Sequence, residues 1–486
     1  MDVQRLARWA GPLALAGALA LEAVQGEGAQ PALRVAGLGL WMALWWCTEA
    51  VALHVTALLP LVLLPLLGVV RAEGVAAAYG HDLVWMFMGA FLLAAAVEQR
   101  GLHRRLALAV LSRAGTSPAR LVVGFLLAAA ATSAVLSNTA TAAMLMPVAL
   151  AVARRGEEAG REGAARTSTA LVLAVAYGAS IGGILTVVGT PPNGIFVRQV
   201  RADGLDARLN FASFTLAALP IALGQLAVAW WVLVRGLPRT ADGAARQAER
   251  EALEALPRMG PGERRTLGVF VAVVLLWATR ARIELGGLAF PGWAAALGVP
   301  GASDATVAVA GALALLLVPS GEGDGPLLSP RAVGSISWEL LLLFGGGFAL
   351  GDAFKSSGLA DSVGAGLGGM AGLPTPVLLL VVALAVTALS EIATNTPLAV
   401  AVLPVLSAAA ASAGLSSVPV MLAATFAASL GFMLPVGTAP NAIAFATGRA
   451  PVRSMLRAGF WIDLAGAVLV ALVVWLWSGP LLDPGR

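Results

Sequence analysis

Two short polar triplets lie inside long apolar stretches of the sequence and carry the side chains best suited to holding a small polar solute. The first triplet is Ser-Asn-Thr at 137–139, the second triplet is Thr-Asn-Thr at 394–396, and their asparagines are 257 positions apart. Asparagine offers a carbonyl and an amide, and the hydroxyls of serine and threonine donate or accept hydrogen bonds. Each triplet can therefore coordinate a cation or bind an anion without carrying a charge of its own.

A second pair of motifs repeats at nearly the same distance. Gly-Thr-Pro-Pro-Asn occupies 189–193 and Gly-Thr-Ala-Pro-Asn occupies 437–441, a separation of 248 positions. Proline removes a backbone donor and clashes with the preceding helical turn, so a regular helix cannot continue through either motif. Matched polar breaks in the two halves of a chain indicate a duplicated structure with a solute site between the halves.

The composition is that of a membrane protein. Of the 486 residues 59% are hydrophobic and 12% are charged, with a mean hydropathy of +0.85, whereas soluble domains carry about twice that share of charge. Apolar runs of bilayer-spanning length predict an all-α polytopic membrane protein rather than a soluble enzyme. The single cysteine, Cys47, excludes an internal disulfide framework. The arginines behind the net charge of +4 lie in short loops, which favours a topological role over nucleic-acid binding.

We predict about eleven transmembrane helices and two re-entrant hairpins. The segments 119–153 and 374–411 contain the triplets, exceed the length of one span and are interrupted near their centres by polar residues. Unpaired backbone groups are costly in hydrocarbon, so two half-helices that meet at each triplet must face protein or a wet cavity. One long tilted helix with its asparagine facing protein is the alternative. The proline motifs predict broken spans at 166–197 and 417–447.

The distribution of arginine predicts the orientation. Arginines cluster after the fourth predicted span, after the first hairpin, in the linker 236–265 between the halves and before the last span. All of these become cytoplasmic if the N-terminus is inside, and eleven spans then leave the C-terminus outside. The repeats are therefore predicted to be inverted in the cell's inner membrane. The N-terminal apolar run is interpreted as an uncleaved first span.

The tip of a re-entrant hairpin places opposite partial charges side by side. The last carbonyls of one half-helix and the first N–H groups of the next lack helical partners, and they favour a cation and an anion respectively. Two symmetric tips could hold two cations flanking one dianion. Neither the triplets nor the proline motifs contain arginine or lysine, so the counter-charge would come from the cations and the helix dipoles. The competing interpretation is that these side chains only cap broken helices.

The acidic residues outside the motifs are weaker candidates. Glu391, four residues before the asparagine of the second triplet, could steer a cation or make a supporting hydrogen bond. Glu49 is better explained as a helix-end anchor or an interhelical hydrogen bond than as a proton relay. Four other acids are predicted at span ends, where solvation costs little: Glu98, Glu339, Asp352 and Asp463.

At these motifs the chain resembles the divalent anion:sodium symporter family, the carriers of dicarboxylates, citrate and sulfate. The resemblance extends along nearly the whole chain. It is carried by Trp-Cys-Thr-Glu-Ala at 46–50, Ser-Asn-Thr-Ala-Thr-Ala-Ala at 137–143, Ser-Ile-Gly-Gly at 180–183, Phe-Gly-Gly-Gly at 344–347 and a C-terminal stretch at 429–441. The second triplet departs from the family pattern, because it begins with threonine and is followed by a proline that removes one N–H donor.

The resemblance implies a homodimer with a scaffold domain and a mobile transport domain in each protomer. The scaffold would comprise 1–118, including an interfacial helix, and 266–373. The transport domain would comprise 119–235 and 374–486 and would slide across the bilayer as an elevator. The segment 236–265 would be a cytoplasmic linker.

The resemblance also implies site residues by position. The residues of a first sodium site would be Ser133, Ser137, Asn138 and the backbone near Ala179. Those of a second sodium site would be Ser390, Asn395 and the backbone near Ala393 and Ala428. Those that meet the substrate oxygens would be Asn138, Thr139, Ser180, Thr394, Asn395, Thr396 and Ser429.

The leading hypothesis is a secondary-active importer, embedded in the lipid bilayer, of a small dianion such as succinate, malate or fumarate coupled to sodium ions. A sulfate or citrate carrier and a sodium-independent dicarboxylate exchanger of the same architecture are the alternatives among carriers. An ion channel is a second class, because re-entrant loops also occur in channels. A membrane enzyme is the third class, but no histidine pair, serine–histidine arrangement or paired acids fall at one predicted depth.

Overall fold

The computed structural model describes residues 3–25, 30–114, 117–158, 163–205, 209–238, 258–285, 288–321, 323, 325–359, 362 and 372–482. In these residues nearly all regular structure is helical, which confirms the predicted fold class. The departure from an all-α chain is a short antiparallel ribbon of β1 (Ile283–Leu285) and β2 (Leu288–Phe290). Most of the predicted linker, residues 239–257, lies outside the described part of the chain.

The helices follow one another with short connections in both halves. The first half contains α1 (Val3–Gln25), α2 (Gln30–Thr48), α3 (Leu53–Thr56), α4 (Leu59–Leu66), α5 (Ala72–Tyr79), α6 (Asp82–Gln99), α7 (Leu102–Ala114), α8 (Pro118–Ser133), α9 (Asn138–Glu158), α10 (Ala164–Ile184), α11 (Pro191–Ala202) and α12 (Phe211–Val234). The second half contains α13 (Pro261–Thr279), α14 (Trp293–Ala296), α15 (Asp304–Leu317), a 3₁₀ turn (Pro330–Ser335), α16 (Trp338–Ser356), α17 (Thr375–Ser390), α18 (Asn395–Ser412), α19 (Ser417–Ala427), α20 (Ala439–Ala446), α21 (Val452–Val473), a π turn (Val474–Ser478) and α22 (Gly479–Leu482).

Many of these helices have the length and polarity of membrane spans. Five described stretches are long and apolar enough to cross a bilayer: Ala72–Gln99, Ala164–Ile184, Phe211–Val234, Asn395–Ser412 and Val452–Ser478. Shorter apolar helices of 10–17 residues include α8, α17 and α19. These three end close to a triplet or a proline motif, so the polar breaks explain why they are short.

Helix α10 lies at the centre of the first half. Its residues 170–184 are all buried, and it packs between α8 and α9 and against α12. Gly182 permits the close approach of α8, because a Cβ at this position would lie 2.3 Å from the carbonyl oxygen of Ala130. Small residues at such contacts let membrane helices pack closely without a hydrophobic driving force between them.

The two halves interlock through their short helices. The first helix pair (α8 and α9) packs on α10, and α9 also contacts α20 of the second half. The second helix pair (α17 and α18) packs on α19, and α18 also contacts α11 of the first half. Each helix pair therefore contacts both the first broken helix (α10 and α11) and the second broken helix (α19 and α20), or lies within one helix of doing so.

Candidate solute-binding site

The first broken helix is interrupted over 185–190, and one asparagine joins its two parts. Two prolines begin α11, where a missing N–H has no cost because the first turn has no helical acceptor for it. Asn193 Nδ2 donates to the carbonyl oxygens of Gly183, Ile184 and Thr186 at 3.0, 3.3 and 2.7 Å. The buried amide thereby pairs carbonyls at the end of α10 that the interruption leaves without helical partners.

The second broken helix repeats this arrangement. Thr438 caps α20, because its Oγ1 accepts from the backbone N–H of Asn441 at 3.2 Å. Asn441 Nδ2 donates to the carbonyl oxygens of Gly431 and Leu434 at 2.8 and 3.0 Å. These acceptors stand 248 positions after two of the acceptors in the first broken helix. The sequence analysis quoted both asparagines as parts of motifs, but it did not assign them this bridging role.

The first triplet lies against the interruption of the first broken helix. Ser137 caps α9, since its Oγ accepts from the N–H of Ala140 at 3.1 Å. Ser133 Oγ donates to Asn138 Oδ1 at 2.6 Å. A Cβ on Gly183 would lie 2.5 Å from the same Oδ1 atom, so only glycine leaves room for Asn138 here. The structure thus brings together two predicted site residues and shows a capping role for Ser137.

The second triplet is arranged differently. Ser390 Oγ donates to the carbonyl oxygens of Thr387 and Leu430 at 2.8 and 2.9 Å. Thr394 stands at the N-cap of α18 without making a side-chain capping bond. Thr394 Oγ1 and Asn395 Oδ1 are buried atoms that have no hydrogen-bond partner among the residues described. Two acceptor oxygens are therefore available at this end of α18.

The remaining predicted site residues divide by exposure. Ser180 and Ser429 are each 1% exposed, and their hydroxyls have no partner within the described ranges. Thr396 is buried, whereas Thr139 is exposed. The residues predicted to contribute backbone oxygens are all buried: Ala179, Ala393 and Ala428.

One further side chain ties each helix pair to a break. Thr186 Oγ1 donates to the carbonyl oxygen of Ala134 at 2.5 Å. In the second half, the Glu391 carboxylate accepts from the N–H groups of Met433 and Leu434 at 2.9 and 2.8 Å. Glu391 follows Ala134 by 257 positions, and Leu434 follows Thr186 by 248. Glu391 therefore makes a supporting hydrogen bond, one of its two predicted roles.

The prediction that Asp463 lies at a solvated span end is wrong. It is the twelfth residue of the 22-residue α21 and is 4% exposed. Its carboxyl group faces Glu391 and Phe432, and Tyr177 Oη donates to the carbonyl oxygen of Phe432 at 3.0 Å. Neither oxygen of Asp463 has a hydrogen-bond partner that meets standard geometry in the described chain. The second break is therefore backed by two buried acids, which the first break lacks at the position of Ala134.

One buried cation near the site escaped the sequence analysis. Arg198, five residues after Asn193 in α11, is 4% exposed. Its guanidinium pairs with Asp352 of α16 and lies 4.9 Å from the centre of the Phe348 ring. Asp352 is 154 positions away, so no local pattern announces the pair. Because Asp352 offsets its charge, Arg198 is not a free counter-charge for an anion at the triplets.

The oxygen atoms at the triplets fit a small hard cation. Hydroxyl, amide and backbone carbonyl oxygens are the ligands that hard cations prefer in proteins. At the second triplet, Thr394 Oγ1 and Asn395 Oδ1 lack a donor among the described residues, and a cation would satisfy them. At the first triplet, the oxygens of Ser133 and Asn138 already lie 2.6 Å apart. The donor set therefore suits sodium without requiring a side-chain charge.

Duplicated helix pairs, packed against duplicated broken helices with buried polar atoms at the breaks, define a helical membrane transporter. A family model described as citrate transporter matches residues 43–422 and, in a second match, 306–484. The chain belongs to the divalent anion:sodium symporter family, and it is a transporter rather than an enzyme.

Curated relatives match the chain over most of their length. The sodium-dependent dicarboxylate transporter SdcS of Staphylococcus saprophyticus is 34% identical over 459 residues, covering 92% of this chain and 86% of the relative. The protein of the same name from Staphylococcus aureus strain USA300 is 32% identical over 452 residues, covering 91% and 85%. The multi-pass membrane character follows from these relatives together with the apolar helices.

Two solved transporters have a similar fold at low sequence identity. The Alcanivorax borkumensis YdaH transporter aligns with a TM-score of 0.54 and 15% identity, covering 84% of this chain and 89% of its own. Neisseria gonorrhoeae MtrF aligns with a TM-score of 0.55 and 14% identity, covering 85% of each chain. At this level of identity the likeness concerns the fold alone.

Proposed function

We propose that the protein imports a small dianion, a C4-dicarboxylate such as succinate, malate or fumarate, in symport with sodium. The observation that carries the proposal is the second triplet, where Thr394 Oγ1 and Asn395 Oδ1 are buried acceptors without a donor among the described residues. The names of the two staphylococcal relatives, sodium-dependent dicarboxylate transporters at 32–34% identity, support it.

The triplets would share the dianion between them. Asn138 and Thr139 would donate to one carboxylate, and the second triplet, 394–396, would donate to the other through its amide and hydroxyls. The buried hydroxyls of Ser180 and Ser429 would reach substrate oxygens from the two broken helices. Bound sodium supplies the positive charge that these neutral groups lack.

The proposed sodium ligands are those assigned by position in the family. The first set is Ser133, Ser137, Asn138 and the backbone at Ala179. The second set is Ser390, Asn395 and the backbone at Ala393 and Ala428. Ser390 and Ser133 are both fully buried beside their breaks, which supports equivalent roles in the two halves.

We further propose that the two helix pairs are re-entrant and that transport follows an elevator mechanism. The segments 119–235 and 374–486 would move as one body against a dimeric scaffold of 1–118 and 266–373. The contacts of α9 with α20 and of α18 with α11 support this, because they join the two halves of the moving body. With about eleven spans, the N-terminus would be cytoplasmic and the C-terminus extracytoplasmic.

Uptake into proteoliposomes tests the proposed coupling. Labelled succinate should accumulate under an inward sodium gradient and should only equilibrate slowly when choline replaces sodium. Uptake that is indifferent to sodium, but driven by dicarboxylate inside the vesicle, would make the protein an exchanger. Unitary currents in a bilayer, without saturation at low substrate, would make it a channel.

Citrate is a second candidate substrate, because the matching family model is described as citrate transporter. Competition in the same assay separates the candidates. Unlabelled succinate, malate and fumarate should inhibit succinate uptake at lower concentrations than citrate or sulfate. If citrate inhibits best, the carrier is a citrate transporter of the same architecture.

A further inference from the structure

A cleft of about 580 Å³ opens between the ends of three helices, away from the triplets. It lies beside the first turns of α10 and α21 and the last turn of α12, and each of these helices is long and apolar enough to span a membrane. Three span ends at one level define the boundary between the hydrocarbon and the water. The cleft therefore lies where the headgroups of lipids are found.

The mouth of the cleft is strongly basic. Arg166, Arg235 and Arg457 line it, one from each of the three helices, and the described residues that line it include no acid. All three arginines are exposed, and the Arg235 guanidinium lies 3.3 Å from the centre of the Trp231 ring. Ser454 adds a hydroxyl at the same level. Three guanidinium groups that converge on one cleft favour a phosphate, which they can bind in bidentate geometry.

The deeper wall of the cleft is apolar. Leu173 lies two helical turns below Arg166, and Trp461 lies one turn below Arg457. An amphipathic ring one turn inside a ring of arginines is the usual order at a membrane interface. A free phosphate ion would leave this apolar wall unoccupied, whereas the first segments of two acyl chains would cover it.

We propose that this cleft is a binding site for an anionic phospholipid, with the phosphate held by Arg166, Arg235 and Arg457 and the acyl chains lying against Leu173 and Trp461. Basic pockets between transmembrane helices bind anionic headgroups by this combination of charge and apolar surface. Nothing in this proposal depends on the identity of the transported solute. Each arginine should contribute about fivefold to the affinity.

Lipid titration of the purified full-length protein in uncharged detergent tests the proposal. Thermal unfolding should shift upward with phosphatidylglycerol at concentrations where phosphatidylcholine with the same chains has no effect. A variant with Arg166→Gln, Arg235→Gln and Arg457→Gln should need roughly a hundredfold more phosphatidylglycerol, since three contributions of about fivefold multiply. The matched control, Arg71→Gln, Arg104→Gln and Arg453→Gln, removes the same charge from exposed positions outside the cleft and should change the requirement less than threefold.

Two outcomes of this titration would overturn the assignment. An unchanged requirement for phosphatidylglycerol in the cleft variant would show that the arginines do not bind lipid. A shift of equal size with glycerol phosphate, which has no acyl chains, would show an ion site instead.

A labelling experiment covers the case in which the triple variant does not fold. Ser454→Cys, made in a Cys47→Ser background, places the sole thiol of the protein in the cleft. Phosphatidylglycerol should slow its reaction with a maleimide at least about fivefold relative to phosphatidylcholine. The control thiol, Ser335→Cys at an exposed turn outside the cleft, should react equally in both lipids. Slow labelling of the cleft thiol in both lipids would mean that another part of the chain covers it, and it would refute the proposal.

Discussion

Asn193 and Asn441 lie 248 positions apart and bridge the two broken helices with matching hydrogen bonds. Asn193 donates to the carbonyls of Gly183 and Thr186, and Asn441 donates to those of Gly431 and Leu434, again 248 positions later. The acceptors are backbone atoms, so the match survives the replacement of threonine by leucine. The geometry of the breaks is thus repeated more faithfully than the side chains around them.

The triplets beside the breaks do not match in this way. In the first triplet, Ser137 caps its helix and Asn138 Oδ1 accepts from Ser133. In the second, Thr394 Oγ1 and Asn395 Oδ1 have no partner in the part of the chain described. A buried acceptor left unpaired costs about 1–3 kcal/mol, and a ligand that pairs it recovers that cost. The comparison teaches that the second triplet has more binding capacity in reserve than the first.

Loss of either triplet asparagine is expected to have the largest effect on transport. Asn395→Ala and Asn138→Ala should each lower initial uptake by about tenfold to a hundredfold, because each removes hydrogen bonds to charged ligands worth about 1.5–3 kcal/mol. Asn395→Ala should also raise the sodium concentration for half-maximal uptake more than Asn138→Ala does. Proteoliposome uptake at varied sodium measures both quantities.

The same variants can contradict the site assignment. Expression and oligomeric size should stay near those of the parent protein, since both asparagines are only partly buried. Full uptake by both variants would refute the assignment. An equal rise in the sodium requirement would remove the proposed difference between the triplets.

The next largest effect is expected from a methyl group at Gly183. Its Cβ would lie 2.5 Å from Asn138 Oδ1, whereas a Cβ at the equivalent Gly431 would lie 3.2 Å from the backbone oxygen of Ser390. Overpacking of this kind costs about 1–3 kcal/mol. Gly183→Ala should therefore lower uptake about tenfold by displacing Asn138, and Gly431→Ala should lower it less than threefold. Uptake by both variants is the measurement, and a greater loss at Gly431 would show that the first triplet is not held by this contact.

The helical class, the duplication and the positions of the breaks could all be predicted from the sequence. Proline has a local effect, so the prolines after Gly189 and Gly437 announce the interruptions wherever the surrounding helices pack. The two triplets were recognisable for a similar reason, because polar residues in an apolar stretch need a structural explanation. The contact of Ser133 with Asn138 follows from their separation of five residues across a helix end.

The partners of isolated charged residues could not be predicted. Asp463 was placed at a span end because hydropathy locates the ends of spans poorly, and the structure puts it in the middle of α21. Arg198 finds Asp352 across 154 positions, and Glu391 reaches the N–H groups of Met433 and Leu434 across more than 40. Such pairs are created by helix packing between repeats, which periodicity does not encode.

A smaller effect is expected where a side chain ties each helix pair to its break. Glu391→Gln should lower the free energy of unfolding by about 1.5–3 kcal/mol, because a carboxylate that accepts two N–H bonds becomes an amide with one acceptor oxygen. Thr186→Val should cost about 1 kcal/mol, the value of one neutral hydrogen bond. Thermal unfolding in detergent measures both changes, with Glu98→Gln at an exposed helix end as the control. A larger loss for Thr186→Val would mean that the charge of Glu391 adds nothing to its tie.

The smallest effect is expected at the polar ends of the interlocked helices, where the halves again differ. Ser407 of α18 donates to Asp203, just after α11, at 2.6 Å. In the reciprocal position, Arg449, after α20, donates to Glu157 of α9 at 3.2 and 2.7 Å. The hydrogen bond from Arg449 holds the pKa of the Glu157 carboxyl below its usual value. Only the second of these ties should therefore weaken through protonation of a carboxylate paired with a cation.

A lowered pKa stabilises the folded state above the ordinary carboxyl pKa, and this contribution is lost as the pH falls through the lowered value. Glu157→Gln should therefore reduce stability by less than about 1 kcal/mol near neutral pH, as expected for an exposed ion pair, and the two proteins should converge below about pH 4. Thermal unfolding from pH 7 to pH 4 measures the difference, with the neighbouring Glu158→Gln as the matched control. A difference that stays constant over this range would show that the glutamate contributes by packing rather than by charge.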